Sequence, residues 1–311
     1  MARKEIFMAR LLMFILLSLL SLSVGRTEDA MQKQTSLAAA TSARASIPKF
    51  YAYCIGLGVP GVTPCPLTEQ VKLLREIGYD GIALELDNNM DSNLRIIDDA
   101  GLQLYMVWIS IRLTPGKDAV ITPGLSNAIV KLKGRPTTIC VLFDGIKPGN
   151  PQGIPPAVDI LRKLGNLADA AGIRISIYNH VGNWTESLPF VIEVVKKTNH
   201  PRVGYNFNLC HWLKVNGGQD YRPLLRENAD KLFVVTINGA SVRAKEWTNG
   251  LIRPLDEGDF NNRQLLATLR AIGYRGPIGL MCYGVPDDDR NHLTRSMKVW
   301  RNFIQADNSG Q

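Results

Sequence analysis

From Phe50 onward, short apolar runs alternate with amphipathic stretches of helical period, and this happens eight times. Two of the runs, TTICVLF over 137–143 and KLFVVTI over 231–237, are apolar at consecutive positions. A strand that reads this way is buried on both faces, which requires a parallel sheet covered by helices. The pattern predicts strands over 50–54, 81–86, 102–109, 138–143, 173–178, 203–207, 232–237 and 278–282. It predicts helices over 67–77, 91–99, 124–133, 156–171, 185–197, 220–229, 262–272 and 288–304, with Gly78 and Gly172 as stops. Eight such pairs over 48–305 fit an α/β fold closed as a (β/α)8 TIM barrel. An open doubly wound sheet is the runner-up. It is disfavoured because Pro60, Pro64 and Pro66 interrupt the helix start that a dinucleotide fingerprint would need after the first strand.

A chain that is 45% hydrophobic and 21% charged has enough apolar surface for a large core, which excludes wholesale disorder. The net charge of +8 is scattered, without basic runs interleaved with aromatics, so a nucleic-acid partner is not expected. Five cysteines without a CxxC pair argue against a disulfide framework or a zinc ribbon. Arg3, Lys4 and Arg10 precede an apolar run from Leu11 to Leu20, and Ser23, Val24 and Gly25 follow as small residues. Residues 1–25 therefore read as a signal peptide for export to a periplasmic or secreted location. The run is too short for a membrane span. Residues 26–47 read as a flexible linker and 306–311 as a disordered tail.

In a barrel of this kind the loops after the strands converge over one mouth, so strand ends are where chemistry is sought. They carry Glu85 and Asp87, Trp108 and Ser110, Asp144, then Tyr178, Asn179 and His180. Further round stand Asn206, Asn208 and His211, Thr236 and Asn238, and Met281, Cys282 and Tyr283. Rings together with amides, carboxylates and imidazoles suit a hydroxyl-rich ligand. His180 and His211 are the candidate acid–base groups, with satisfied structural histidines as the alternative. Glu85 is the third candidate, its rival role a salt bridge to a neighbouring strand. Tyr178, Asn179, Asn208, Asn238, Trp108 and Asp144 are candidate substrate-binding residues, although Asp144 before Gly145 also reads as a turn residue. Trp184 and Trp212 lie just past the rim as candidates for stacking on a sugar ring or closing over it, or for the core.

These strand ends carry IGYDGIALEL, AAGIRISIYNH, VGYNFNLCHW, FVVTINGA and IGYRGPIGLMCYG. With them the chain resembles the sugar phosphate isomerase/epimerase superfamily, built on the xylose isomerase-like TIM barrel. The resemblance implies proton or hydride movement beside a carbonyl, assisted by a divalent metal such as Mn, Mg or Zn. It places the usual metal ligands, Glu, Asp, His and Glu, on Tyr178, Asn208, Thr236 and Met281. None of the four is kept, while His180 and His211 are. A site without anionic ligands holds a hard cation poorly.

The expected function is thus an exported isomerase, epimerase or lyase acting on a small-molecule carbohydrate or sugar derivative by proton transfer beside a carbonyl. The alternative is a non-catalytic sugar-binding barrel that has lost the metal site. Metal-dependent phosphodiester hydrolysis, a third reading, needs a cluster of His and carboxylates that these strand ends do not offer.

Overall fold

The doubly apolar runs form strands packed on both sides. The computed structural model describes residues 48–119 and 124–308. The strands are β1 (Phe50–Tyr53), β2 (Gly81–Glu85), β3 (Gln103–Arg112), β4 (Thr138–Asp144), β5 (Arg174–Ile177), β6 (Val203–Asn208), β7 (Leu232–Ile237) and β8 (Ile278–Met281). They close into one barrel in chain order, with every neighbouring pair parallel, β8 against β1 included. The sequence-based fold class is the observed one.

The helices among the described residues are α1 (Leu67–Ile77), α2 (Met90–Asp99), α3 (Leu125–Lys131), α4 (Ile154–Ala171), α5 (Leu188–Thr198), α6 (Leu209–Asn216), α7 (Arg222–Glu227), α8 (Asn262–Ala271) and α9 (Asp289–Asn308). α1 ends where Gly78 turns left-handed at φ 97° and donates its N–H to the Leu74 carbonyl, a conformation that costs glycine no Cβ clash. α4 begins two residues before its predicted start. Pro155 and Pro156 are tolerated there because first-turn N–H groups lack intrahelical acceptors anyway.

Two apolar cores result. The larger lies between strands and helices, with Leu74, Ile97, Leu164, Val191, Leu265 and Leu293 fully buried on the helix side. The smaller fills the barrel interior with Tyr51, Tyr53, Tyr105, Met106, Cys140, Tyr178, Phe233 and Met281. Glycines on the strands make room for its rings: a Cβ on Gly279 would stand 2.6 Å from the Tyr51 ring, and one on Gly204 2.6 Å from the Phe233 ring.

Besides shifts of two or three residues at several helix ends, larger differences from the sequence-based expectation occur in β3, α6 and α9. β3 extends to Arg112, where its register pairs that residue with Asp144. α6 starts directly after β6, where no helix is predicted. Its eight residues are too few to show a period, and Leu209 to Leu213 are all buried. α9 runs to Asn308, three residues into the predicted tail. The expected signal peptide, the linker and residues 309–311 lie outside the described residues. No helix among the described residues is long and apolar enough to cross a membrane.

Candidate active site

A cavity of about 490 Å³ opens at the C-terminal mouth of the barrel. Rings from Tyr53, Trp108, Tyr178, Trp247 and Tyr283 line it, with Leu57, Leu142, Val181, Ile252 and Met281 as apolar wall and Cys54, Glu85, His180 and His211 as its remaining polar members. Two other hollows, one at the strand starts around Arg135 and Arg174 and one between α1 and α2, touch no strand end at the mouth. No Lys or Arg lines this cavity, and Glu85 is its one carboxylate residue.

The rings of His180 and His211 stand 4.2 Å apart, inclined by 42°. His180 follows β5, and His211 sits in the first turn of α6, so neighbouring strands deliver both. Burial lowers the pKa of His180, partly offset by the Val181 carbonyl and the Asn183 side chain. Burial lowers that of His211 further, with repulsion from His180 as a second cause. Both imidazoles are therefore neutral near pH 7. Their tautomers follow from one residue. His180 Nδ1 lies 2.9 Å from the Val181 carbonyl, which can only accept, so Nδ1 carries the proton and Nε2 the lone pair. The Val181 N–H donates to His211 Nδ1 at 3.2 Å, which leaves the His211 proton on Nε2.

Glu85 is exposed at the end of β2, on the far side of the barrel from β6. No ion pair involves it among the described residues, so the salt bridge weighed as its rival role does not form. It lies close enough to Cys54 to add to the burial that pushes that thiol up to about 12. Cys210 and Cys282 are buried thiols, and burial pushes both upward, away from nucleophilic thiolate. All five cysteines are unpaired.

Tyr178 and Trp108 line the cavity, as does Tyr53, which the sequence did not single out. The Tyr53 and Tyr178 hydroxyls are 3.3 Å apart. Asn208 Nδ2 donates to Tyr53 at 3.2 Å and also to Tyr178. The Cys210 thiol donates to Asn208 Oδ1 at 3.0 Å, and Asn179 Oδ1 accepts the Asn208 backbone N–H at 3.0 Å. Asn179 and Asn208 are thus buried behind the cavity wall.

Asn238 and Asp144 stand off the cavity. Asn238 Nδ2 donates to the carbonyls of Gly239 and Leu251, both at 2.7 Å, and so pins the long connection between β7 and α8. Asp144 faces Arg112 at 3.8 Å, and its backbone carbonyl accepts the Leu113 N–H. The connection held by Asn238 brings in Trp247 and Ile252, which sequence reasoning missed because no strand end announces them. Trp247 meets His211 edge-on at 5.2 Å and carries the Lys214 ammonium 5.1 Å above its ring. Trp184 and Trp212 are core residues, which corrects their reading as stacking groups. Trp184 is fully buried against Phe143 and Phe190, with its Nε1–H donated to the Asn150 carbonyl, and Trp212 packs on Phe207. His200 and His292 lie away from the mouth, paired with Asn166 and Asp289.

The residues at the usual metal positions do not fit a divalent cation. Tyr178 and Asn208 are bonded to one another, Thr236 offers a neutral hydroxyl, and Met281 is buried among apolar groups. Among the described residues no group of three or more His, Cys, Asp or Glu side chains could hold a metal ion.

An eight-stranded parallel barrel with paired imidazoles at its mouth defines the class: a TIM barrel whose site is built from the loops after its strands. Residues 130–303 match the family described as xylose isomerase-like TIM barrel, and the chain belongs to that family. A segment of 131 residues, 40% of this chain, is 30% identical to 3-dehydroshikimate dehydratase of Pseudomonas putida. That segment covers 20% of the dehydratase, so the chain spans about a fifth of the length of this curated relative. Among solved structures, a probable 3-DHS dehydratase of petrobactin synthesis from Bacillus anthracis superposes with a TM-score of 0.62 at 18% identity, covering 82% of this chain and 99% of that one. The 3-keto-D-glucoside 4-epimerase of E. coli gives 0.60 at 16%, covering 82% and 99%. The D-allulose 3-epimerase of Methylomonas sp. gives 0.60 at 12%, covering 82% and 98%. At these identities the likeness is one of fold.

Proposed function

We propose that this protein is an exported isomerase, epimerase or lyase that moves a proton beside the carbonyl of an uncharged carbohydrate or sugar derivative. The observation that carries the reading is the pair His180 and His211, ring centroids 4.2 Å apart on the cavity wall, one with its lone pair on Nε2 and the other with an Nε2–H. A neutral imidazole is matched to proton abstraction near pH 7. In this reading His180 is the base, and His211 supplies a proton or a hydrogen bond to the substrate.

Glu85 belongs to β2 and His211 follows β6, four strands away around an eight-stranded barrel, so the two groups face each other across the mouth. A ring held between them is addressed on both faces, which is what inversion at a carbon requires. The five aromatic side chains favour a ring with an apolar face. A sugar phosphate, with its doubly charged group, would meet Glu85 with no Lys or Arg among the lining residues to pair with it, which favours an unphosphorylated substrate. The names of the relatives, two sugar epimerases and two dehydratases, support this class of chemistry.

The test is solvent deuterium exchange into a panel of neutral ketoses and keto-glycosides followed by NMR. Wild-type protein is expected to label one carbon beside the carbonyl of at least one sugar, and His180→Gln to lose that labelling while binding the sugar still. Binding without exchange in the wild type would instead identify a sugar-binding barrel.

A further inference from the structure

We infer that the hydroxyls of Tyr53 and Tyr178, braced by the Asn208 carboxamide, form an oxyanion-binding site that takes the place of the divalent cation at the mouth of this barrel. The inference rests on the proton-transfer reading above and deepens it. It starts from counting hydrogens. Two phenols own two O–H protons, and the 3.3 Å contact between them consumes at most one. Asn208 Nδ2 approaches both oxygens as a donor and uses none of their protons. The amide is oriented by the Cys210 thiol, which burial keeps protonated and which donates to Oδ1. The Thr236 hydroxyl interacts with the Tyr53 oxygen in the sense that lowers the phenol, as a donor, and so it too uses none of the phenolic protons. One phenolic O–H is therefore left for a ligand, on a pair of residues that both line the cavity.

Their placement matches the task. Tyr178 is two residues before His180, and its ring lies 6.0 Å from the His180 ring and 5.8 Å from that of His211. Burial raises both phenols, so they remain donors at any working pH. In the step so served, His180 Nε2 takes the proton from the carbon beside the carbonyl. The C–H electron pair becomes the C=C bond of an enolate, and the carbonyl π pair moves onto oxygen, which receives the free O–H. Return of a proton to carbon restores the carbonyl, and no oxidant, reductant or second substrate is consumed. A preorganised neutral donor of this kind stabilises developing negative charge in a water-poor pocket.

The test uses p-nitrophenol as the probe, because its absorbance separates phenol from phenolate and its ring fits an aromatic cavity. Wild-type protein is expected to lower the pKa of the bound probe by about one unit, a tenfold preference for the anion. Tyr178→Phe and Tyr53→Phe, checked for native circular dichroism, should each diminish the shift and together abolish it, while His180→Gln retains it. A bound probe that stays neutral, a shift unaffected by both Phe variants, or no binding to the wild type would overturn the site. Calorimetric titration with Mn²⁺ and Zn²⁺ forms the second arm, where the expected result is no stoichiometric uptake. Stoichiometric uptake that displaces the probe would overturn the claim that the phenols stand in for a metal. Because the probe undergoes no turnover, its shift can survive a failed deuterium exchange, which would sink the proton-transfer reading and leave the anion site standing.

Discussion

His180 and His211 carry their protons on opposite ring nitrogens, and Val181 enforces both, its carbonyl fixing one tautomer and its N–H the other. Val181 immediately follows His180, so the chain itself couples the two imidazoles. A neutral pair with one lone pair and one N–H outward can take and give a proton without passing through a doubly charged state. The repulsion that lowers His211 further opposes that state directly.

The pH dependence follows with a definite sign. Both folded-state pKa values lie below the ordinary imidazole value, so between the two the unfolded chain binds more protons than the native one. Their neutral burial therefore costs nothing above the ordinary value and lowers stability as pH falls below it, by up to about 1.4 kcal/mol for each unit of depression. Urea denaturation at pH 7 and pH 5 should show wild type losing more stability than His211→Gln over that interval. Equal losses would contradict a buried neutral His211.

Trp247 is half-buried on a connection between β7 and α8, and its ring forms cavity wall at the edge of the core. Trp247→Ala should weaken sugar binding about tenfold, or about 1.4 kcal/mol, and move the denaturation midpoint little. Calorimetry and urea titration on the same preparation separate the two effects.

Asn238→Leu removes the two donations that tie Gly239 and Leu251 together and leaves the Leu251 carbonyl without a donor, while that of Gly239 keeps the Arg253 N–H. The expected cost is about 1–3 kcal/mol. Limited proteolysis should then cut within 239–261 faster than in wild type. A variant that loses neither stability nor protection would show that the backbone pairs of this connection, Gly239–Arg253 at 3.0 and 2.8 Å among them, hold it without the Asn238 side chain.

Trp184→Ala opens a large void against Phe143 and Phe190 and should cost about 3–5 kcal/mol in chemical denaturation. Were Trp184 a sugar platform instead, affinity would fall and stability would not. The contrast with Trp247→Ala is a direct check on which tryptophan belongs to the site.

Much of the architecture is legible in the chain because it depends on local period. The run over 232–237 coincides with its observed strand because it is apolar almost throughout, and the helix over 67–77 with its observed helix because it is bounded by Pro66 and Gly78. α6 is hidden because Leu209 to Leu213 face packed groups on several sides, which erases an amphipathic stripe. At the mouth, strand-end position correctly places His180, His211, Glu85, Tyr178 and Trp108 on one cavity. The same rule cannot separate Asn208, behind the wall, from Asn238, which binds a loop. Both occupy similar sequence contexts, and the difference lies in which backbone returns to meet them.

By itself the sequence pointed to the barrel, because eight alternating strand and helix patterns, with prolines where a dinucleotide-binding helix would start, favour closure over an open doubly wound sheet. It also determined that the family's usual metal-ligand positions hold Tyr178, Asn208, Thr236 and Met281 and no carboxylate, since residue identity decides charge. Only the tertiary structure decided which hydroxyls meet, how Val181 sets two tautomers, and that Trp247 rather than Trp184 reaches the cavity. Those outcomes depend on contacts between residues far apart in the chain, Tyr53 with Tyr178 and Asn208 above all, and no local pattern encodes such distances.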